Sequence, residues 1–162
     1  MHANGVLLQH LFSGLNQHDA RAMADCYHPE ASFRDIAFDL HGRRQIQAMW
    51  EMVCNGDIRA TFDIVHADDE TGQVNLIDDY TFSSTGRRVH NVIDSRFRFR
   101  DGLILRHEDS CDSQAWAAMA LGGLSGFLAG RFHFLRSSKA RKKLRDFVAQ
   151  RPEYKDVHFS WD

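Results

Sequence analysis

The chain has 162 residues, 43% of them hydrophobic and 26% charged, which suits one soluble domain around a single core and needs no second one. A formal net charge of -2 excludes a chain-wide electrostatic footprint for nucleic acid or an acidic membrane, and no apolar run approaches the roughly 18 residues of a membrane span. Cys26, Cys54 and Cys111 are odd in number and widely spaced, against a disulfide framework or a C-x-x-C zinc site, and the N-terminus lacks a secretion signal, so the expectation is a cytoplasmic protein.

Leu7, Leu8, Leu11, Phe12 and Leu15 recur at helical spacing and predict a first helix. Asn16-Gln-His-Asp19 breaks it, with Asp19 placed to cap a short second helix through Cys26. Pro29 prevents simple continuation, and Ala31-Ser-Phe33-Arg-Asp35 reads as a short strand. After Gly42, the stripe Ile46, Met49, Trp50 and Val53 predicts a further helix that Asn55-Gly56 ends.

From Ile58 to Cys111 the period changes to two, and Asp68–Gly72, Ser84–Gly86 and Asp101-Gly102 separate four strand-length runs. This is an antiparallel meander. With the early strand and helices it makes an α+β domain in which a curved antiparallel sheet wraps on the N-terminal helices as a cone-like barrel. A three-residue Arg100-Asp101-Gly102 loop would set Phe97 opposite Leu105, Ser95 opposite His107 and Ile93 opposite Asp109. A two-residue Thr85-Gly86 turn would set Phe82 opposite Val89, Tyr80 opposite Asn91 and Asp78 opposite Ile93.

The chain divides into an α+β domain over 1–113 and a C-terminal helical extension over 114–162, packed on the same domain. In the extension, Trp116 to Leu121 is helical in character, and Gly122, Gly123, Gly126 and Gly130 interrupt it. From Arg131 to Arg145 there are seven Lys or Arg residues and no acid, beside the apolar stripe Leu144, Phe147 and Val148, which reads as a solvated helix face.

In these registers one sheet face carries an apolar floor of Leu76, Phe82, Ile93, Phe97 and Leu105, and a polar group of Asp78, Tyr80, Asn91, Ser95, His107 and Asp109 gathered toward one end, with Cys111 facing it. So many polar groups on an apolar concave face exceed what packing needs, and a small-molecule pocket is the economical explanation. Asp35 faces two readings. It is a buried carboxylate, made usable as a base near neutral pH by desolvation, or a turn residue bonding its own backbone. Two chemistries stay open: Asp35 takes a proton from carbon beside a carbonyl while Tyr80, Asn91 or His107 donates to the oxyanion, or His107, oriented by Asp109 or Asp78, moves a proton to or from water.

No metal site is expected, because His107, Asp109 and Asp78 lack an H-x-x-x-H or H-E-x-x-H companion. Cys111 reads as a small buried thiol, no Gly-rich phosphate motif or G-x-S-x-G elbow occurs, and no cofactor is indicated.

The order helix, helix, Ala31-Ser-Phe-Arg-Asp35, His41-Gly-Arg-Arg-Gln-Ile46 and a meander with Arg98-Phe-Arg-Asp-Gly102 resembles the nuclear transport factor 2-like superfamily, with its ketosteroid isomerases and SnoaL-like cyclases, over about residues 5–113. The resemblance implies a pocket between helices and concave sheet, a homodimer, and Asp35 at the position of the isomerases' general base, with Tyr27 and Trp50 among the pocket aromatic residues. Leu11 and Ser95 stand where those isomerases keep their oxyanion donors, so steroid isomerisation itself is not implied. His107 to Trp116 and the glycine-rich stretch after it resemble a ketosteroid isomerase-related branch with such a tail, expected over the pocket mouth, the sheet edge or a second subunit.

The expectation is therefore an enzyme of proton transfer, of isomerase, dehydratase or cyclase type, on a small apolar carbonyl or hydroxyl compound. Asp35, His107, Asp109 and Tyr80 would carry the chemistry, and Tyr27, Phe33, Trp50, Asp78, Phe82, Asn91, Ile93, Ser95, Phe97 and Cys111 would line the pocket. The alternative is a non-catalytic module that binds a hydrophobic ligand or acts as a dimer in recognition. No nucleic acid or membrane partner is expected.

Overall fold

A computed structural model describes residues 1–123 and 133–161. In chain order the elements are α1 (Ala3–Gln17), α2 (Ala20–Ala24), β1 (Tyr27–Arg34), β2 (Asp39–His41), α3 (Arg43–Cys54), β3 (Arg59–Ala67), β4 (Thr71–Phe82), β5 (Arg87–Arg100), β6 (Leu103–Cys111), α4 (Ser113–Leu121), α5 (His133–Ala149) and a 3-10 turn at Pro152–Tyr154. The six strands form one open sheet in the order β2-β1-β6-β5-β4-β3. The α+β arrangement and the meander are those expected, and β1 adds a parallel pairing with β6.

Local chemistry explains the early boundaries. Asp19 caps α2 by accepting from Ala22 N, and Gly42, at φ 91°, enters α3 through a backbone conformation that a side chain would strain. β1 starts earlier than the expected Ala31. Its pairing with β6 shifts between Tyr27 and Ser32, the stretch that holds Pro29, which has no N–H to give a ladder.

The core lies between the helices and the concave face. Leu8, Leu11, Phe12 and Leu15 of α1 are fully buried, and the Phe12 ring lies 5.2 Å from Phe62 and 6.3 Å from Phe97. Burial alternates along β5, where Val89, Asn91, Ile93, Ser95, Phe97 and Phe99 point inward. Each large apolar side chain buried this way contributes about 1.5–3 kcal/mol. Leu144, Val148, Tyr154, Val157 and Phe159 join the same core from the C-terminal segment.

Both expected hairpin registers are corrected, the first by two residues and the second by one at its turn and two beyond a bulge. Ser83 to Gly86 form a four-residue connection, so Asp78 faces Asn91, Tyr80 faces Val89 and Leu76 faces Ile93. At the next hairpin Arg100 faces Leu103 across Asp101-Gly102, both at positive φ, which is the geometry of a tight two-residue turn. Leu105 is then left without a partner as a bulge, and beyond it Phe97 faces His107 and Ser95 faces Asp109. The bulge puts Ile104, fully buried, where Leu105 was expected in the floor. Beyond the bulge the displacement is even, so His107, Asp109 and Cys111 keep their expected face.

The extension packs at one end of the sheet. Asp112 caps α4 by accepting from Gln114 N and Ala115 N, and Trp116, Ala117 and Ala120 bury against Val89, Tyr80, Phe82 and Ile36. Helix α5 reaches the same end, with the Ser137 hydroxyl 3.4 Å from the Ile36 carbonyl and Lys143 Nζ 2.8 Å from Ser83 Oγ. Leu144 and Val148 bury as the expected stripe, with Phe147 partly buried, whereas Gly126 and Gly130 lie outside the described residues. None of the described helices is long and apolar enough to cross a membrane.

Candidate active site

Strand β6 presents His107 and Asp109 on the concave face, and they touch. His107 Nε2 lies 2.8 Å from Asp109 Oδ1, and the same oxygen accepts the Ser95 hydroxyl at 2.6 Å. On the other side of the ring, Nδ1 lies 2.8 Å from the Tyr27 hydroxyl, which accepts the Trp50 indole N–H at 3.2 Å. The row therefore runs Trp50, Tyr27, His107, Asp109, Ser95, drawn from α3, β1, β6 and β5.

The donors set the tautomer. Asp109 Oδ1 is the acceptor at Nε2, so that nitrogen carries the proton, and Nδ1 accepts from Tyr27. Burial holds the Tyr27 phenol well above its ordinary pKa, so it keeps the O–H it donates.

His107 itself is fully buried, with Phe97 and Phe33 at ring separations of 4.4 and 4.9 Å. Both of its nitrogens are engaged inside the fold. This corrects the expectation that His107 meets a substrate directly: its place is behind Asp109, whose side chain is 12% exposed.

Asp35 satisfies the turn reading and is desolvated as well. It opens the β1–β2 turn, with its Oδ1 accepting from Ala37 N at 2.8 Å and Phe38 N at 2.6 Å. Burial outweighs those two bonds and pushes its pKa up to about 6, with the negative charge of Asp109 adding and His107 opposing. Oδ2 makes no hydrogen bond among the described residues.

Asp78, on β4, is raised further. Burial, then the charges of Asp109 and Asp79, push it to about 8, and its Oδ1 is buried with no hydrogen-bond partner among the described residues. At neutral pH it is a carboxylic acid with a proton to donate. Tyr80, two residues on, is raised to about 12 chiefly by burial, and the charges of Asp78 and Asp35 act on it. Asp35, Asp78, Tyr80 and Asp109 thus share one electrostatic neighbourhood.

The remaining expected residues fall as follows. Phe33, Ile93, Phe97, Trp50 and Asn91 are buried, and Cys111, opposite Ile93, is half-buried. Phe82 packs edge-on against Trp116, 5.3 Å between rings, on the extension side. Two hollows in the surface of the described residues lie elsewhere. One of about 480 Å³ runs from Gln17 past Cys54 to Arg151, and one of about 320 Å³ lies between Arg145 and Phe159. Neither includes Asp35 or His107, and the packing around His107 is aromatic. Among the described residues no group of His, Cys, Asp or Glu is arranged to hold a metal ion.

Trp116 was not among the residues expected at the site. Its indole N–H donates to the Tyr80 hydroxyl at 2.6 Å. The available signal was the helix cap at Asp112, which starts α4 and sets Trp116 one turn in.

A family model described as a SnoaL-like domain matches residues 8–107. Among solved structures, a polyketide cyclase described as putative from a Silicibacter species aligns with a TM-score of 0.67 at 16% identity, over 73% of this chain and 95% of that one. Another from Xanthomonas campestris pv. campestris gives 0.62 at 19%, over 72% and 96%. An LEH-like epoxide hydrolase from M. tuberculosis gives 0.61 at 16%, over 78% and 96%. At such identities the likeness is one of fold. No curated protein matches the chain.

Proposed function

The chain belongs to the SnoaL-like domain family, and from that premise we propose that it is a proton-transfer enzyme acting on a small apolar carbonyl compound. One arrangement carries the reading: Ser95 and His107 hold Asp109, and Asp35 and Asp78, raised by burial to about 6 and about 8, both feel its charge. Carboxyls pushed apart in acidity within one site divide the roles of base and acid.

Asp35, ionised at neutral pH, takes a proton from carbon beside the carbonyl through Oδ2. Asp78, still protonated, donates to the oxygen as negative charge develops there, and Tyr80 is a second donor. Burial, with Asp109 and Asp79 adding, keeps the proton on Asp78, and His107 holds Asp109 in place. Asp35 then returns the proton at a new carbon, or gives it to a hydroxyl on the next carbon, which leaves as water as the enolate collapses to the conjugated carbonyl; these are the isomerase and dehydratase outcomes. The cyclase and epoxide hydrolase names of the structural neighbours agree with acid-base chemistry on small organic compounds.

The test is deuterium incorporation from D2O into a panel of small cyclic ketones and enones, followed by proton NMR. The native protein labels the carbon beside the carbonyl of at least one compound. Asp35→Asn lowers that rate at least about 100-fold while binding persists. A native protein that binds these compounds without labelling any of them contradicts the reading and favours a ligand-binding module.

A further inference from the structure

Tyr80 makes one hydrogen bond among the described residues, and in it the phenol oxygen is the acceptor. An indole nitrogen can only donate, so the direction is fixed and the Tyr80 proton is directed elsewhere. Trp116 is well placed to impose this. It is buried, its ring stands at 82° to Phe82, and its helix is tied to the sheet by Thr85 Oγ donating to the Ala120 carbonyl and Arg87 Nε donating to that of Met119.

The groups whose charges act on the phenol are Asp78, Cys111 and Asp35, all on the concave side. Asp78 shares the inward face of β4 with Tyr80, and Ile36, next to Asp35, packs in the same cluster as Tyr80. The O–H is thus a donor without a protein acceptor among the described residues, beside the carboxyl assigned above as base.

We infer that Trp116 is a positioning residue of this site: by filling the acceptor side of the Tyr80 oxygen, its N–H turns the Tyr80 O–H toward the space beside Asp35 and Asp78, where it donates to the carbonyl or oxyanion oxygen of the bound compound. The inference rests on the proposed function for the identity of that oxygen. It makes the extension, which lies beyond the family-matched residues 8–107, a working part of the site.

The test is a double-mutant cycle on binding of 4-nitrophenolate, whose phenoxide stands in for an oxyanion and whose visible absorbance reports the bound anion. Tyr80→Phe weakens binding by about 10-fold, the size of one hydrogen bond to a charged group. Trp116→Phe, which keeps a ring and loses the N–H, weakens it about 5-fold in the native background and by less than about 1.5-fold in Tyr80→Phe. Equal weakening in both backgrounds marks a structural role and overturns the inference, as does no weakening in either, or no binding by the native protein. Coupled binding with no ketone labelled by deuterium refutes the proposed function alone, and labelling without coupling refutes this inference alone.

Discussion

The His107 row and the Asp35–Asp78 side share the concave face of one sheet and have opposite bonding. Every polar hydrogen in the row has an acceptor, from the Trp50 indole through Tyr27 and His107 to the Asp109 oxygen that Ser95 shares. By contrast, Asp78 Oδ1 is buried without a partner among the described residues, and Asp35 keeps one oxygen out of its turn bonds. The satisfied region rigidifies, and the unsatisfied region stores the cost that a ligand can relieve. On the proposed function, the unpaired Asp78 oxygen is where the bound compound makes its contact.

The largest break in this comparison comes from the satisfied side. His107→Leu leaves the Tyr27 O–H and the Asp109 carboxylate short of partners in an apolar setting, and urea unfolding should show a loss of about 3 kcal/mol. A loss under about 1 kcal/mol would mean that the row does not hold the sheet together.

The unsatisfied side should respond to pH with the opposite sign from a salt-bridged carboxylate. Folding raises Asp35 to about 6 and Asp78 to about 8, above the unfolded value near 4, so the folded state keeps protons the unfolded chain has lost. Their contribution to stability is complete below about pH 4 and is lost as pH rises through about 6 and then about 8. The exposed Asp57, Asp68 and Asp156, held low by hydrogen bonds, act in the other direction and only in acid. The urea midpoint should therefore fall between pH 5 and pH 8.5. Asp78→Asn should remove the upper part of that fall and raise stability at pH 8 by about 1 kcal/mol. A destabilised variant with an unchanged slope would contradict the assignment.

The smallest effect is on Asp35. Asparagine keeps the side-chain oxygen that accepts from Ala37 and Phe38, so Asp35→Asn should change stability by less than about 0.5 kcal/mol while removing deuterium exchange. A large loss of stability would reduce Asp35 to its turn role.

The faces of the sheet were legible because period-two patterning decides them, and the register errors were even along β4 and β5 and, in β6, beyond the bulge. The pairings were not, because they depend on whether Ser83 to Gly86 close as two residues or four and on a bulge at Leu105, and neither leaves a mark in hydrophobic alternation. The spacing of His107 and Asp109 put them on one face, but their contact depends on Ser95 and on Tyr27, which reaches His107 through the parallel pairing of β1 with β6. The expected role of His107 changed for the same reason: burial by Phe33 and Phe97 comes from strands far apart in the chain. Asp35 was legible as a position on two grounds that both survive, its turn bonds and its desolvation. Trp116 was legible only as a helical residue, since nothing local to it points to Tyr80.

The central claim is that Asp35 and Asp78 are both held as weak acids, to different degrees, beside Asp109. Carbon-13 NMR of the aspartate carboxyls, with Asp35→Asn and Asp78→Asn used to assign the two signals, tests it without any substrate. The account requires one signal to titrate near pH 6 and the other near pH 8. Both titrating near 4, as in an unfolded chain, would contradict it.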